Sequence, residues 1–262
     1  MNMFKNKLKA NFASGDKKSY LSLFVGFPSI HIVEMAAFNR FDTVVIDCEH
    51  GNLSYENIEH MVIAAENAGI TPLVRTVSSD PGEILKVLDR GAHGVHVPQV
   101  ETKEQAVRII EAVKYPPMGK RGAAFSMRAA KYGTLPIGEY LEKANEETLV
   151  CIHIESEKAM QNLNEILQTP GIDLVYVGPT DLSVSLGYGG SIDHPEVLKA
   201  VDEIKKTAAR YKVKIGVHTK NGLGAQNRSR WGADYIGVTV TSLIIDSFYE
   251  YTSSARMEGV EI

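Results

Sequence analysis

Residues 43–51 read TVVIDCEHG: an apolar, β-branched run ends on Asp47, and Cys48, Glu49, His50 and Gly51 follow at once. Two carboxylates and an imidazole within four positions can accept, hold or pass a proton, and the imidazole suits that work near neutral pH. The pattern recurs along the chain. Arg75 closes TPLVR, Glu155 closes LVCIHIE, Asp181 follows LVYVG through PTDLS, and His218 closes VKIGVH. Glu155 and Asp181 are carboxylates at the ends of successive strand-like runs. With water completing the shell, such a pair suits Mg²⁺ or Mn²⁺ better than Zn²⁺, which prefers His and Cys. Asp181 has a second reading, because PTDLS can open a helix with Thr180 or Asp181 as its cap. His153 lies two residues before Glu155, so both point to one face of a strand. A packed core histidine and a ligand are both open for it. Cys48, beside the crowded strand end, carries no activating context and is read as packing.

Residues so placed need elements that bring them together. Strands are expected at 20–26, 43–47, 71–75, 94–98, 149–155, 174–178, 213–218 and 235–239. Their near-continuous apolar character points to a parallel sheet covered on its outer side. Between them lie amphipathic helical segments. One opens at Ser54 and closes at Gly69, and another has Asp80 as N-cap with Pro81 at its first position. Residues 194–212 form the longest expected helix, and 242–257 a terminal one. No low-complexity linker interrupts the chain, so residues 1–262 read as one domain. Eight β-then-α units in this length are the arithmetic of a TIM barrel. A doubly wound sheet is the runner-up, but GFPSIH after the first strand is not the glycine-rich loop it would carry. In a barrel the C-terminal strand ends form the active face, so the ionisable residues named above converge on one rim.

The 262 residues hold 28 Lys and Arg against 32 Asp and Glu, a net charge of -4, with no basic stripe; a nucleic-acid surface is not expected. Cys48 and Cys151 both fall in apolar segments, which fits reduced thiols in a cytoplasmic protein. The opening residues MNMFKNKLKANFASGD hold no continuous apolar region, and no run is long enough to span a bilayer, so neither a signal peptide nor a membrane partner is expected. His31, His60 and His194 are expected at the surface; His93 and His96 are expected to be structural, with His96 able to line the barrel. Residues 115–136, rich in Pro, Gly and Ala, break the rhythm and read as a binding loop or lid, against a disordered excursion. GYGGSID matches no phosphate-binding pattern.

The pieces IDCEHG, LVRTV, LDRGAHGVHVPQV, YPPMGKRG, HIES and VGPTDLSVSLGYGG, in this order from about residue 20 to 245, resemble the HpcH/HpaI aldolase family of class II pyruvate aldolases. That family includes 4-hydroxy-2-oxoheptanedioate and 2-dehydro-3-deoxyglucarate aldolases. The resemblance implies a TIM barrel and a divalent metal (Mg²⁺, Mn²⁺ or Co²⁺) on Glu155 and Asp181, with no organic cofactor. It also implies His50 as proton acceptor, Asp89 raising the basicity of His50, Arg75 stabilising the oxyanion, and backbone N–H groups around Thr180 and Asp181 holding the substrate carboxylate. A homohexamer, a trimer of dimers, is implied as well. His153 stands where the family carries a substrate-binding glutamine. An imidazole can donate the same hydrogen bond, and it can also ionise or bind metal.

The expected function is reversible cleavage of 4-hydroxy-2-oxo acids to pyruvate and an aldehyde through a metal-stabilised enolate, a carbon–carbon lyase reaction. Alternatives are an oxaloacetate decarboxylase or related 2-oxo acid lyase on the same site, or a non-catalytic 2-oxo acid binding protein on an inherited barrel.

Overall fold

A computed structural model describes residues 5–15 and 19–256. The first four residues and Met257, which entered the expectations about the chain start and the terminal helix, lie outside them. All eight expected strands form: β1 (Tyr20–Val25), β2 (Thr43–Asp47), β3 (Thr71–Arg75), β4 (Gly94–Val97), β5 (Leu149–His153), β6 (Leu174–Val177), β7 (Lys214–Thr219) and β8 (Tyr235–Thr239). Each pairs in parallel with its sequence neighbours, and β8 pairs with β1 to close a TIM barrel. The doubly wound alternative is thereby excluded.

Alternation along the strands sorts the side chains into two cores. Val44, Ile46, Val150, Ile152, Val175 and Val177 face the helices, while Val45, Leu73, Leu149, Cys151, Leu174 and Tyr176 fill the interior. The helices form where the caps predict. Ser54 and Asn57 make a capping box at the start of α3 (Tyr55–Ala68), with Gly69 left-handed at its end. Asp80 caps α4 (Pro81–Asp89), and α10 spans Pro195–Arg210. At 16 residues α10 is one residue shorter than α12 (Val240–Arg256), which continues directly from β8, so the terminal helix is the longer one. Among the described residues no helix is long and apolar enough to cross a membrane.

The barrel interior contains an unusual span. A Cβ added at Gly216 would lie 2.7 Å from Tyr176 Cδ2 and 3.0 Å from Tyr235 Cδ1. One at Gly237 would collide with the Tyr176 hydroxyl and lie 2.7 Å from Phe24 Cε2. Two bare positions on β7 and β8 thus leave room for the Tyr176 ring to cross the barrel, where its hydroxyl meets His218 Nδ1 at 2.9 Å. Below it, α1 (Lys7–Ser14) closes the N-terminal end. Leu8 packs into the interior core, and Asn6 donates to the His93 carbonyl at 2.8 Å.

The segment at 115–136 departs from expectation. It follows α5 (Lys103–Val113), whose end lies at the N-terminal face of the barrel, so it packs far from the strand C-termini and is no lid over them in this chain. Its Arg121 pairs with Asp89 at 2.8 Å, its Arg128 pairs with Glu66 near the end of α3, and residues 128–133 form a short 3₁₀ turn. The physical reason is the direction of α5, which runs antiparallel to the strand before it; a break after a helix belongs to the opposite rim from a break after a strand.

Two outcomes are expected. Gly237→Ala should overpack the barrel by about 1–3 kcal/mol and lower Tm by roughly 2–12 °C, read by calorimetry. Burial works to raise the Glu66 pKa, but hydrogen bonds from His93 and Arg128 outweigh it and bring it to about 2 from 4.5. A depressed carboxyl pKa adds stability that is complete above pH 4.5 and fades as pH falls toward 2. Glu66→Gln should therefore flatten the fall in urea midpoint between pH 5 and pH 2; a slope equal to that of wild type would remove Glu66 from this role.

Candidate active site

β2 and β3 build the centre of the rim. Asp47 and Arg75 are register partners, and the guanidinium grips the carboxylate with Nε to Oδ1 at 2.8 Å and Nη2 to Oδ2 at 2.7 Å. Its third nitrogen, Nη1, reaches Glu49 Oε2 at 2.8 Å. Asp47 also accepts from the Glu49 N–H at 3.1 Å, which folds the chain sharply after the strand. Gly51 makes that fold possible, since a Cβ there would lie 2.6 Å from the Gly26 carbonyl and strike the Asp47 carbonyl. The turn leaves the His50 side chain 69% exposed, 3.8 Å from Glu49. Burial works to raise the Asp47 pKa, yet the hydrogen bonds and charge of Arg75 hold it below its usual value. Burial likewise opposes the charge on Arg75, and Asp47 and Glu49 more than restore it.

β5 and β6 supply the second half. Glu155, just past β5, is buried and accepts the Gln99 N–H on Oε1 at 2.8 Å. Its other oxygen lies 3.3 Å from His153 Nδ1, off the line of a hydrogen bond, so that buried nitrogen has no hydrogen-bond partner among the described residues. Burial works to raise the Glu155 pKa, but His153 (when its ring carries a charge), the Gln99 amide and Arg75 hold it low. Asp181 and Thr180 are exposed on the first turn of α9 (Pro179–Ser185), where Gly178 is the N-cap; neither side chain caps the helix, so that reading of PTDLS falls away.

Glu155 and Asp181 are nonetheless drawn to one place. An ideal Cβ on Gly178 would lie 3.1 Å from Glu155 Oε2 and 3.0 Å from Asp181 Oδ2. Two carboxylates facing one bare glycine repel unless a cation lies between them, and an all-oxygen pair fits a hard divalent ion. A second donor grouping lies deeper. His96 Nδ1 stands 3.1 Å from His153 Nε2, and His96, Cys151 and His153 bring donor atoms within 4.8 Å of one another, a His/Cys/His cluster suitable for a divalent metal. Burial pushes the Cys151 thiol well above 9.0 and His96 well below 6.5, leaving one protonated and the other neutral inside the barrel. The carboxylate pair, hard oxygen donors at the rim, is the better candidate for a cation.

Asp89 is not brought to His50. It ends α4, five residues before β4 begins, at the opposite face of the barrel, where it pairs with Arg121. Within one chain the carboxylate beside His50 is Glu49. His96 does line the interior, and His93 is buried against Glu66 at 2.9 Å. Sequence reading missed Gln99 and Tyr176. Gln99 follows β4 as the strands' other polar residues follow theirs, and its left-handed backbone (φ 55°) turns its N–H toward Glu155. Nothing local marks Tyr176, whose role depends on glycines 40 and 61 residues away in sequence.

Gly178 has an ordinary φ of −89°, so alanine there adds a methyl group without backbone strain. Gly178→Ala should part the two carboxylates and weaken Mn²⁺ binding by about 10–100-fold, measured by titration calorimetry, with Tm nearly unchanged. Equal Mn²⁺ affinity would show that Glu155 and Asp181 do not share an ion.

Comparison with known proteins places the chain in a family. The family model described as HpcH/HpaI aldolase/citrate lyase matches residues 21–244. A 2-keto-3-deoxy-L-rhamnonate aldolase of Salmonella paratyphi B is 33% identical over 244 residues, 92% of this chain and 90% of that one. An HpcH/HpaI aldolase/citrate lyase family protein of Burkholderia cenocepacia J2315 superposes with a TM-score of 0.90 at 27% identity, over 96% of this chain and all (100%) of that one. The citrate synthase SbnG superposes at 0.86 with 27% identity, over 96% and 98%. Carbon–carbon lyase chemistry of the aldolase type, a metal-assisted cleavage of a 2-oxo acid, is the activity typical of such chains. With the barrel, the paired carboxylates and the clamped arginine in register, this chain belongs to the HpcH/HpaI aldolase/citrate lyase family.

Proposed function

We propose that the chain reversibly cleaves 4-hydroxy-2-oxo acids to pyruvate and an aldehyde, with Glu155, Asp181, Arg75 and His50 as the working residues. The observation that carries this reading is the convergence of Glu155 and Asp181 on Gly178, beside an arginine whose charge is secured by two carboxylates. A divalent cation held by Glu155 and Asp181 would supply Lewis acidity toward the keto and carboxylate oxygens of the substrate.

The chain's own groups account for the rest. His50, exposed at the rim, takes the proton of the C4 hydroxyl. As that proton leaves, the C4–O electrons form the aldehyde carbonyl, the C3–C4 bond breaks, and its electron pair becomes the C2–C3 double bond of an enolate. A proton delivered to C3, from His50 directly or through water, then gives the pyruvate methyl group. Arg75 faces the negative charge that develops on the C2 oxygen. Three of its nitrogens are engaged with Asp47 and Glu49, and of its five N–H groups two are left to donate. The first-turn N–H groups at Thr180 and Asp181 have no partner within their helix and suit the substrate carboxylate. The likeness to 2-keto-3-deoxy-L-rhamnonate aldolases supports a polyhydroxylated 2-oxo acid as substrate. Exposed Ile245, Phe248, Tyr249 and Tyr251 along α12 support the expected packing between subunits.

Among the described residues a Schiff-base route has no amine in place. Lys220 is exposed, and Lys114, whose pKa burial lowers to about 7, donates to the Asn145 and Thr148 carbonyls at the far end of the barrel from Glu155. A second reading, an enolate used for decarboxylation or for condensation, is favoured by the likeness to a citrate synthase.

The test is exchange of pyruvate methyl protons in D₂O, followed by NMR, together with a panel of aldehydes. Exchange should stop in excess chelator, return with Mn²⁺, Mg²⁺ or Co²⁺, and fall at least ~10²-fold in His50→Ala. New aldol products should accumulate with hydroxyaldehydes. Full exchange by metal-free protein overturns the reading, and exchange without any aldol product favours the second one.

A further inference from the structure

His153 is 1% exposed, and its Nδ1 faces Glu155 Oε2 with no hydrogen-bond partner among the described residues. The protons of its neighbours determine what that nitrogen carries. The Tyr235 hydroxyl donates to Ser22 Oγ at 2.6 Å, so its oxygen is free to accept. With the His96 proton placed on Nε2, 3.5 Å from that oxygen, the Tyr235 hydroxyl is its acceptor. A neutral His96 then offers a lone pair on Nδ1, and His153 Nε2, 3.1 Å away, donates to it. The last lone pair in this chain of donors lies on His153 Nδ1. A carboxylate oxygen lies 3.3 Å from it, to one side of the lone-pair axis.

In that tautomer two electron-rich atoms lie side by side, and a cation bound to both offsets their repulsion. Neighbouring donors on one ion at about 2.1 Å are about 3.0 Å apart in octahedral geometry and about 3.4 Å in tetrahedral geometry. The observed separation falls between. Ligand histidines also have their remote nitrogen anchored by a hydrogen bond, as His96 anchors this one. Asp181 stands further off, exposed on α9, and its side chain would have to rotate to join.

We propose that His153 Nδ1 is a direct third ligand of the divalent cation held by Glu155 and Asp181. The inference rests on the carboxylate site proposed above. It carries a consequence for metal choice: an imidazole in the set favours Co²⁺, Zn²⁺ or Mn²⁺ over Mg²⁺, which keeps to oxygen donors.

The test uses full-length protein loaded with Mn²⁺ alone and read by pulsed electron paramagnetic resonance. Wild type should show coupling to a directly bound nitrogen, and growth on ¹⁵N-histidine should change its isotope pattern. His153→Gln should lose that coupling and bind Co²⁺ about 10–100-fold more weakly, while Mg²⁺ affinity changes less than about threefold, since Mg²⁺ gains little from nitrogen. Absence of histidine coupling in wild type, with binding still abolished by Glu155→Gln, overturns the inference and leaves the carboxylate site standing. Binding unaffected by Glu155→Gln overturns the site itself. Coupling that persists in folded His153→Gln, or a Co²⁺–thiolate absorption band lost in Cys151→Ser, assigns the ion to other donors and overturns the inference as well. The wild-type measurement decides the matter even if His153→Gln does not fold.

Discussion

Closing eight parallel strands into a barrel leaves each strand only its alternate side chains for the interior, and the site depends on which residues fall on that phase. On β5 the inward phase is Leu149, Cys151 and His153, so Glu155, the next on it, emerges at the rim. On β2 the same phase runs Thr43, Val45 and Asp47, and on β3 Thr71, Leu73 and Arg75. A slip of one residue in any of these strands would turn its functional side chain into the helix layer. The apolar residues on the opposite phase, Val44, Ile46 and Val74 among them, hold the register by filling that layer.

With register secured, the rim becomes an electrostatic construction in which each charge has an opposite beside it. Arg75 stays ionised because Asp47 and Glu49 flank it, and Asp47 stays ionised because Arg75 grips it. Glu155 is held by a backbone N–H, and Asp181 reaches toward it across a glycine. Glu155 and Asp181, on either side of Gly178, are the groups on which the proposed cation would rest.

The opposite face does different work. Asp89 with Arg121, Glu66 with His93 and Arg128, and Lys9 with Asp173 tie α1, α3, α4 and the 115–136 segment around the closed end of the barrel. These pairs stabilise the fold at the end where no strand delivers a C-terminus. Within one chain Asp89 belongs to this group through its pair with Arg121.

Local sequence carried a great deal. The eight strands, the Ser54 and Asp80 caps, and the convergence of Asp47, Arg75, Glu155 and Asp181 on one rim were legible because period, capping and strand-end position are short-range properties. Topology followed from the β-then-α count. Contacts between distant residues were not legible. Within one chain Asp89 lies away from His50 because a helix reverses direction and carries its last residue to the other face. Tyr176 crosses the barrel only because Gly216 and Gly237 leave space on two other strands. His153 could be read as core or ligand from sequence; its tautomer depends on His96, Tyr235 and Ser22, which three other strands bring to it. Sequence by itself determined which groups reach the rim, since a strand's own phase decides that. Only the tertiary structure decided which of them face one another, because that depends on side chains meeting across the barrel from strands far apart in the chain.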